Sequence, residues 1–285
     1  MQKMKRMLRE NLSDQVLNRL RSVRNCLFGR RIVEGTRNWL LKTEVIRGYP
    51  QVYLRLLIRE IGYPDPELRL LSSLCEKTKC SVDIGAYMGD YAFHMLRYSE
   101  HCHVFEPRQK AIQKIRERLE GTSLPLTLHK VALSDSGGEM SLRIPQCAGR
   151  STLETSNPLE NLDEYRTTVP VRCLDDYELG EVGCIKIDVE GHEEAVIRGG
   201  IDTIRRDRPS LIIEAEERHN SGVVGKLDSL LGKNGYEGYF IEKGKLKTIE
   251  SFDVQKHQTS IVDGRYVGGG KKYVNNFIFE HRKNE

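Results

Sequence analysis

The 285-residue chain has no CxxC pair, a single tryptophan, no internal repeat and no low-complexity tract. No apolar run is long enough to be a signal peptide or a membrane-spanning helix, so the reading is a soluble, cytoplasmic protein. Seven cysteines (Cys26, Cys75, Cys80, Cys102, Cys147, Cys173 and Cys184) are scattered and odd in number, which argues against a disulfide framework and for reduced thiols. A net charge of +4 is too small to imply a nucleic-acid partner for the whole chain. The dinucleotide fingerprint GxGxxG is also missing: Gly85 and Gly89 are separated by Ala86, Tyr87 and Met88. His101, Cys102 and His103 are the nearest thing to a metal cluster, but neighbours on a strand point to opposite faces, and no metal ligand is assigned.

What the chain does have is an unusual strand end, KIDVEGHEEAVIRGG, from Lys186 to Gly200. Ile185, Ile187 and Val189 share one face of a strand and Lys186, Asp188 and Glu190 the other. A central strand normally carries apolar residues on both faces, so these charges must be paired or must open onto a polar cleft. Gly191 permits a turn there, and His192, Glu193 and Glu194 begin a helix whose Ala195, Val196 and Ile197 can pack back on a sheet.

A second string, SVDIGAYMGD from Ser81 to Asp90, enters a glycine turn and leads into the helical spacing of YAFHMLRYS. Strand, glycine turn and helix start form a unit that can cradle an anion. About 17 residues beyond Gly89, the run HCHVFEP ends in Glu106, where the next strand of a nucleotide-binding unit would place a ribose-binding acid. Asp83 stands two residues before the first glycine, which favours a cofactor with a free amino group, such as S-adenosylmethionine, over a pyrophosphate carrier.

With these strings in view the chain resembles the FkbM family of S-adenosylmethionine-dependent methyltransferases. The resemblance runs from about Cys80 to His281 and rests on five ordered blocks: VDIGAYMGDY, VFEP, VALSD, IKIDVEGHE and SLIIEAEERH. It implies a class I methyltransferase fold, α/β and Rossmann-like, with a mostly parallel seven-stranded sheet flanked by helices. It also implies O-methylation of a glycan, glycolipid or other small hydroxylated metabolite. Carried over by position, Asp83, Gly85, Gly89 and Asp90 would hold the methionine end of the cofactor, Glu106 the ribose and the stretch around Ala132 the adenine. The family often has Asn where this chain has Tyr87. The competing reading is a catalytically silent binding or scaffold protein, against which the charges retained in the cleft argue.

Residues 71–285 are assigned to the methyltransferase domain and 1–70 to a basic helical N-terminal extension. Between Met1 and Arg31 nine basic residues face two acids, Glu10 and Asp14, and Met4, Leu8, Leu12, Val16, Leu20, Val23 and Leu27 recur at helical spacing. Such an arm suits packing on its own domain or on a partner subunit, with peripheral membrane contact as the alternative. A further helix is expected over Val52–Ile61, with a boundary at Pro64 and Pro66. The expected core strands are Val82–Gly85, His103–Glu106, Leu126–Leu133, Cys184–Val189 and Leu211–Glu216, with Tyr236–Glu242 and Asn276–Glu280 as antiparallel edge strands. The polar stretch from Cys147 to Arg166 is expected to cover substrate.

Methyl transfer to a hydroxyl needs the acceptor oxygen held in line and a proton acceptor beside it. Asp188, Glu190 and His192 are the candidates. Neutral imidazole has the better reference pKa, whereas a carboxylate needs burial or a neighbouring acid, Glu214 or Glu216, to raise its own. The runner-up mechanism has the same acids hold a divalent cation.

Overall fold

A computed structural model describes residues 41, 44–62, 65–145, 164–258, 261–262, 265–266 and 273–282. The basic arm lies outside these residues. The chain divides into two compact units at Glu60 and Ile61, with 121–123 going to the first, ten residues before the boundary expected from sequence. Helices run over Glu44–Arg47 and over Pro50–Ile61, whose last residue begins the second unit. The second helix starts two residues earlier than expected, because proline suits a first helical position, and it buries Tyr53, Leu54, Leu56, Leu57 and Ile58.

The second unit is built on one large sheet. Its strands in chain order are β1 (Cys80–Ile84), β2 (His101–Phe105), β3 (Leu126–His129), β4 (Ala132–Leu133), β5 (Gly138–Pro145), β6 (Glu164–Arg172), β7 (Val182–Ile187), β8 (Ser210–Glu214), β9 (Tyr236–Glu242), β10 (Lys245–Thr248), β11 (Ile261–Val262), β12 (Arg265–Tyr266) and β13 (Asn276–His281). The large sheet has the order β10-β9-β13-β8-β7-β1-β2-β3. Strands β3, β2, β1, β7 and β8 are mutually parallel, and β13 enters antiparallel between β8 and β9. This is the mostly parallel α/β sheet expected, with two corrections. It has eight strands rather than seven, since β9 folds back on β10, and β9 and β13 are both interior rather than edge strands.

The expected third strand also divides. β3 stays in the large sheet, while β4 crosses to a three-stranded sheet of order β4-β6-β5. There β5 and β6 pair antiparallel along their whole length, and Ala132, Leu142, Ile144, Val169 and Val171 form a small core. Residues 146–163, the larger part of the stretch expected to cover substrate, lie outside the described residues, and the rest of it, 164–166, begins β6.

β1 and β7 sit at the centre with one face apolar and the other, which carries Ser81, Asp83 and Lys186, buried as well. Val82 and Ile84 of β1 and Ile185 and Ile187 of β7 are all at most 1% exposed and share the main core with Val196 and Ile197 of the following helix, Glu193–Gly199. The strand order reverses between these two strands, so their carboxyl ends open the crevice where parallel α/β sheets bind ligands.

Candidate active site

The crevice is a cavity of about 120 Å³ lined by residues from five chain segments. Ile84, Gly85 and Tyr87 come from the end of β1, and Phe105, Glu106, Pro107 and Arg108 from the end of β2. Val131, Ala132, Leu133 and Leu142 contribute an apolar wall, and Asp188, Val189 and Glu190 follow β7. Of the residues singled out from sequence, Gly85, Glu106, Ala132, Asp188 and Glu190 therefore meet in one place. Asp83, Gly89, Asp90 and His192 do not line it.

Gly85 lets the two central strands close on each other. It has φ +79°, and a Cβ added there would sit 1.8 Å from the carbonyl oxygen of Asp188. The Gly85 N–H donates to Phe105 O and the Asp188 N–H to Ile84 O, both at 2.9 Å, so three strand ends are tied at this point. Asp83 lies behind them, 2% exposed, and its Oδ2 accepts the N–H of Ala92 at 2.9 Å inside the helix Asp90–Met95. Burial raises this carboxyl to about 7, the Ala92 bond opposing the shift. Asp83 thus anchors the helix that follows the glycine turn. Gly89 caps that helix at φ +78°, and Asp90 pairs with Arg118 at 3.2 Å, while Arg118 also donates to Met88 O at 2.8 Å. Both residues hold the turn from outside the cavity.

Glu106 is 1% exposed and heavily bonded. Its Oε2 accepts the Tyr87 N–H at 2.8 Å and Arg108 Nη2 at 2.9 Å; its Oε1 accepts the Arg108 N–H at 2.9 Å and Nε at 2.8 Å. The Arg108 guanidinium also lies 4.9 Å from the Tyr87 ring centroid. Tyr87 itself stands at φ +48°, a left-handed conformation that asparagine tolerates better than tyrosine. The Asn usual at this position in the resembling family has a backbone reason, and here the bond to Glu106 holds a less suitable residue in the same conformation. Sequence reasoning had no signal for Arg108 folding back on Glu106.

The charges of the β7 end divide between the two meanings they had in the sequence. Lys186 is paired: at 1% exposure its Nζ donates to Asn276 Oδ1 at 2.8 Å, lies 3.7 Å from Glu214 and 4.9 Å from the Tyr91 ring centroid. Burial works against the ammonium, but Asp188, Glu214, Asp65 and Asp83 together hold its pKa above the ordinary value. Asp188 instead opens on the cavity. Burial first, and the Glu214 carboxylate second, push its pKa well above the usual carboxylate range, with Lys186 opposing. Glu214 is the neighbouring acid that a carboxylate base requires. Glu216 is held in place by its neighbours: Arg218 donates to both of its oxygens at 2.7 Å and the Tyr273 hydroxyl donates to Oε2.

His192 turns away. It precedes the helix Glu193–Gly199, is 6% exposed, and its Nε2 shares a 2.8 Å hydrogen bond with Ser134 Oγ. Strand alternation ends at Ile187, and Glu190 (φ +50°) and Gly191 (φ +104°) are both left-handed, so the chain reverses before His192. The structure corrects its expected position beside the other candidates.

The methyltransferase FkbM domain matches residues 83–237, more than half of the chain and every segment that lines the cavity. The chain belongs to the FkbM methyltransferase family. Curated relatives include the hexuronic acid methyltransferase AglP of Haloferax volcanii, 27% identical over 145 residues, or 50% of this chain and 58% of that protein. Another is the 2-O-methyltransferase NoeI of Sinorhizobium fredii, 30% identical over 180 residues, or 55% of this chain and 74% of that protein. The match thus spans little more than half of the first relative. Among solved structures, an FkbM methyltransferase from Methylobacillus flagellatus aligns over 86% of this chain and 59% of its own, at 18% identity and a TM-score of 0.47. Among the described residues no helix is long and apolar enough to cross a membrane.

Proposed function

We propose that this FkbM-family protein is an S-adenosylmethionine-dependent O-methyltransferase that acts on a hydroxyl of a sugar or related metabolite. The observation that carries the reading is the mixed lining of the cavity. The apolar residues Val131, Ala132, Leu133 and Leu142 and the acids Asp188, Glu190 and Glu106 line the same cavity. Such a donor set fits a cofactor with an aromatic base at one end and a cationic amino acid at the other. S-adenosylmethionine supplies an electrophilic methyl group on a sulfonium.

The chain's own residues do the rest. The apolar wall takes the adenine and excludes water. Glu106 accepts the ribose hydroxyls once Arg108 turns aside, which also enlarges a cavity smaller than the roughly 300 Å³ at which small-molecule sites begin. Gly85 keeps the crevice floor low, and Asp83, Gly89 and Asp90 fix the turn above it. Asp188 orients the acceptor hydroxyl and takes its proton on a carboxylate oxygen whose basicity burial and Glu214 have raised. The names of AglP and NoeI, one a hexuronic acid methyltransferase and the other a 2-O-methyltransferase, support an oxygen acceptor on a sugar.

Calorimetry with S-adenosylmethionine, followed by incubation with uronic-acid-bearing oligosaccharides and mass spectrometry, tests the reading. One cofactor bound per chain and an acceptor heavier by one CH₂ support it. A chain that binds no S-adenosylmethionine overturns it.

A further inference from the structure

Beside the cavity, two loops that are distant in sequence bring a set of metal-ligating side chains together. Glu190 follows β7, whereas Glu216 and His219 follow β8, and one ligand atom from each lies within 4.8 Å of the other two. His219 Nδ1 is 2.9 Å from Glu190 Oε2, with the two side chains 6% and 15% exposed. Glu216, 5% exposed, is held by Arg218 and Tyr273, whose hydrogen bonds fill Oε2 and take one position on Oε1, so that Oε1 keeps one lone pair for a metal ion.

A separate observation points at the same spot. Glu193 is 1% exposed and its Oε1 accepts the Gly191 N–H at 2.7 Å, which places its carboxylate against the Glu190–Gly191 turn. Its Oε2 is buried and, among the described residues, has no hydrogen-bond partner. The turn in its own right abuts His219: a Cβ on Gly191 would lie 3.3 Å from His219 Cβ, and Asn220 Nδ2 donates to Gly191 O at 3.3 Å. A buried carboxylate oxygen without a donor is costly, and a metal-bound water would supply one.

We infer that Glu190, Glu216 and His219 hold one divalent first-row cation, of the Mn²⁺ type, at the acceptor end of the cavity. Two carboxylates and one imidazole suit such an ion and leave coordination positions open. Glu190 lines the cavity, so the ion faces the acceptor, where it would bind a vicinal diol or a uronate carboxylate and increase the acidity of the hydroxyl to be methylated. This inference rests on the proposed methyl transfer for its role, and its test reads the ion separately.

The experiment is a titration of the full chain, stripped with EDTA, with Mn²⁺, following free Mn²⁺ by electron paramagnetic resonance; S-adenosylmethionine binding is measured by calorimetry on the same samples. One Mn²⁺ per chain is expected, with affinity falling at least tenfold in Glu190→Gln and His219→Asn and holding in Glu237→Gln, which removes a carboxylate outside the set and the cavity. Failure of wild-type protein to take up Mn²⁺ overturns the inference without any variant, as does equal affinity in all three variants. If Mn²⁺ is not bound but S-adenosylmethionine is, the cation site falls and the methyltransferase reading stands. If S-adenosylmethionine is not bound but Mn²⁺ is, the reverse holds.

Discussion

Replacing Gly85 with alanine tests whether the close approach of β1 and β7 is what shapes the site. The new Cβ would stand 1.8 Å from the Asp188 carbonyl oxygen, so the two strand ends must separate by roughly 1 Å or more to reach a tolerable contact. That separation strains the Asp188 N–H to Ile84 O bond, worth about 1 kcal/mol, and disturbs a packed core for about 1 to 3 kcal/mol. The left-handed φ adds about 1 to 2 kcal/mol for any residue with a Cβ. Together the loss is about 3 to 6 kcal/mol. Gly244 provides the control, with φ +75° and nothing within 4 Å of an added Cβ, so Gly244→Ala should lose only the backbone part, about 1 to 2 kcal/mol. Urea unfolding of both variants, with the midpoints compared at equal m, reads the difference. If Gly85→Ala is no less stable than Gly244→Ala, the close approach does not control the architecture of the crevice.

Other consequences are equally direct. Asp83 holds its proton more tightly folded, at about 7, than unfolded, at 3.8, so between those values the folded chain carries the extra proton and its stability falls as pH rises. Asp83→Asn should flatten that decline in denaturation curves from pH 4 to 8, and an unchanged slope would contradict the assignment. Glu106→Ala should weaken S-adenosylmethionine by about 1.5 to 3 kcal/mol in calorimetry, whereas Arg108→Met, which vacates the Glu106 oxygens, should tighten it several-fold. Weaker binding in Arg108→Met would mean that Arg108 holds the cofactor rather than competing with it. Asp188→Asn should cut turnover by roughly 100-fold with only a modest loss of cofactor affinity, while His192→Asn should keep near-normal turnover across pH. A comparable loss in His192→Asn would return the base to the imidazole.

The parts of this arrangement that were legible in the sequence are those set by local period and by turn residues. Alternation along Ile185–Val189 identified a central strand with a charged end, and the glycines at 85 and 89 marked the turn between β1 and its helix. Alternation predicted Asp188 and Glu190 at the crevice, and both line it. Val189 lines it too, which shows that the strand period had already ended there and why it could not place His192. Other features depend on partners far along the chain. β4 leaves the large sheet because β6, some forty residues later, offers Val171 and Arg172 as neighbours. The bond of Arg108 to Glu106 depends on side-chain reach over one turn, and the meeting of Glu190 with His219 on two loops approaching each other, neither of which leaves a period in the sequence.

The central claim is that the crevice transfers a methyl group from S-adenosylmethionine to a sugar hydroxyl. Its most direct measurement uses cofactor labelled with deuterium in the methyl group, a uronic-acid-bearing oligosaccharide, and mass-spectrometric and NMR location of the label, with Asp188→Asn run in parallel. The account predicts one labelled methyl on a sugar oxygen with wild-type protein and a roughly 100-fold slower appearance with Asp188→Asn. Label arriving on nitrogen or carbon, or at the same rate in both proteins, would contradict it.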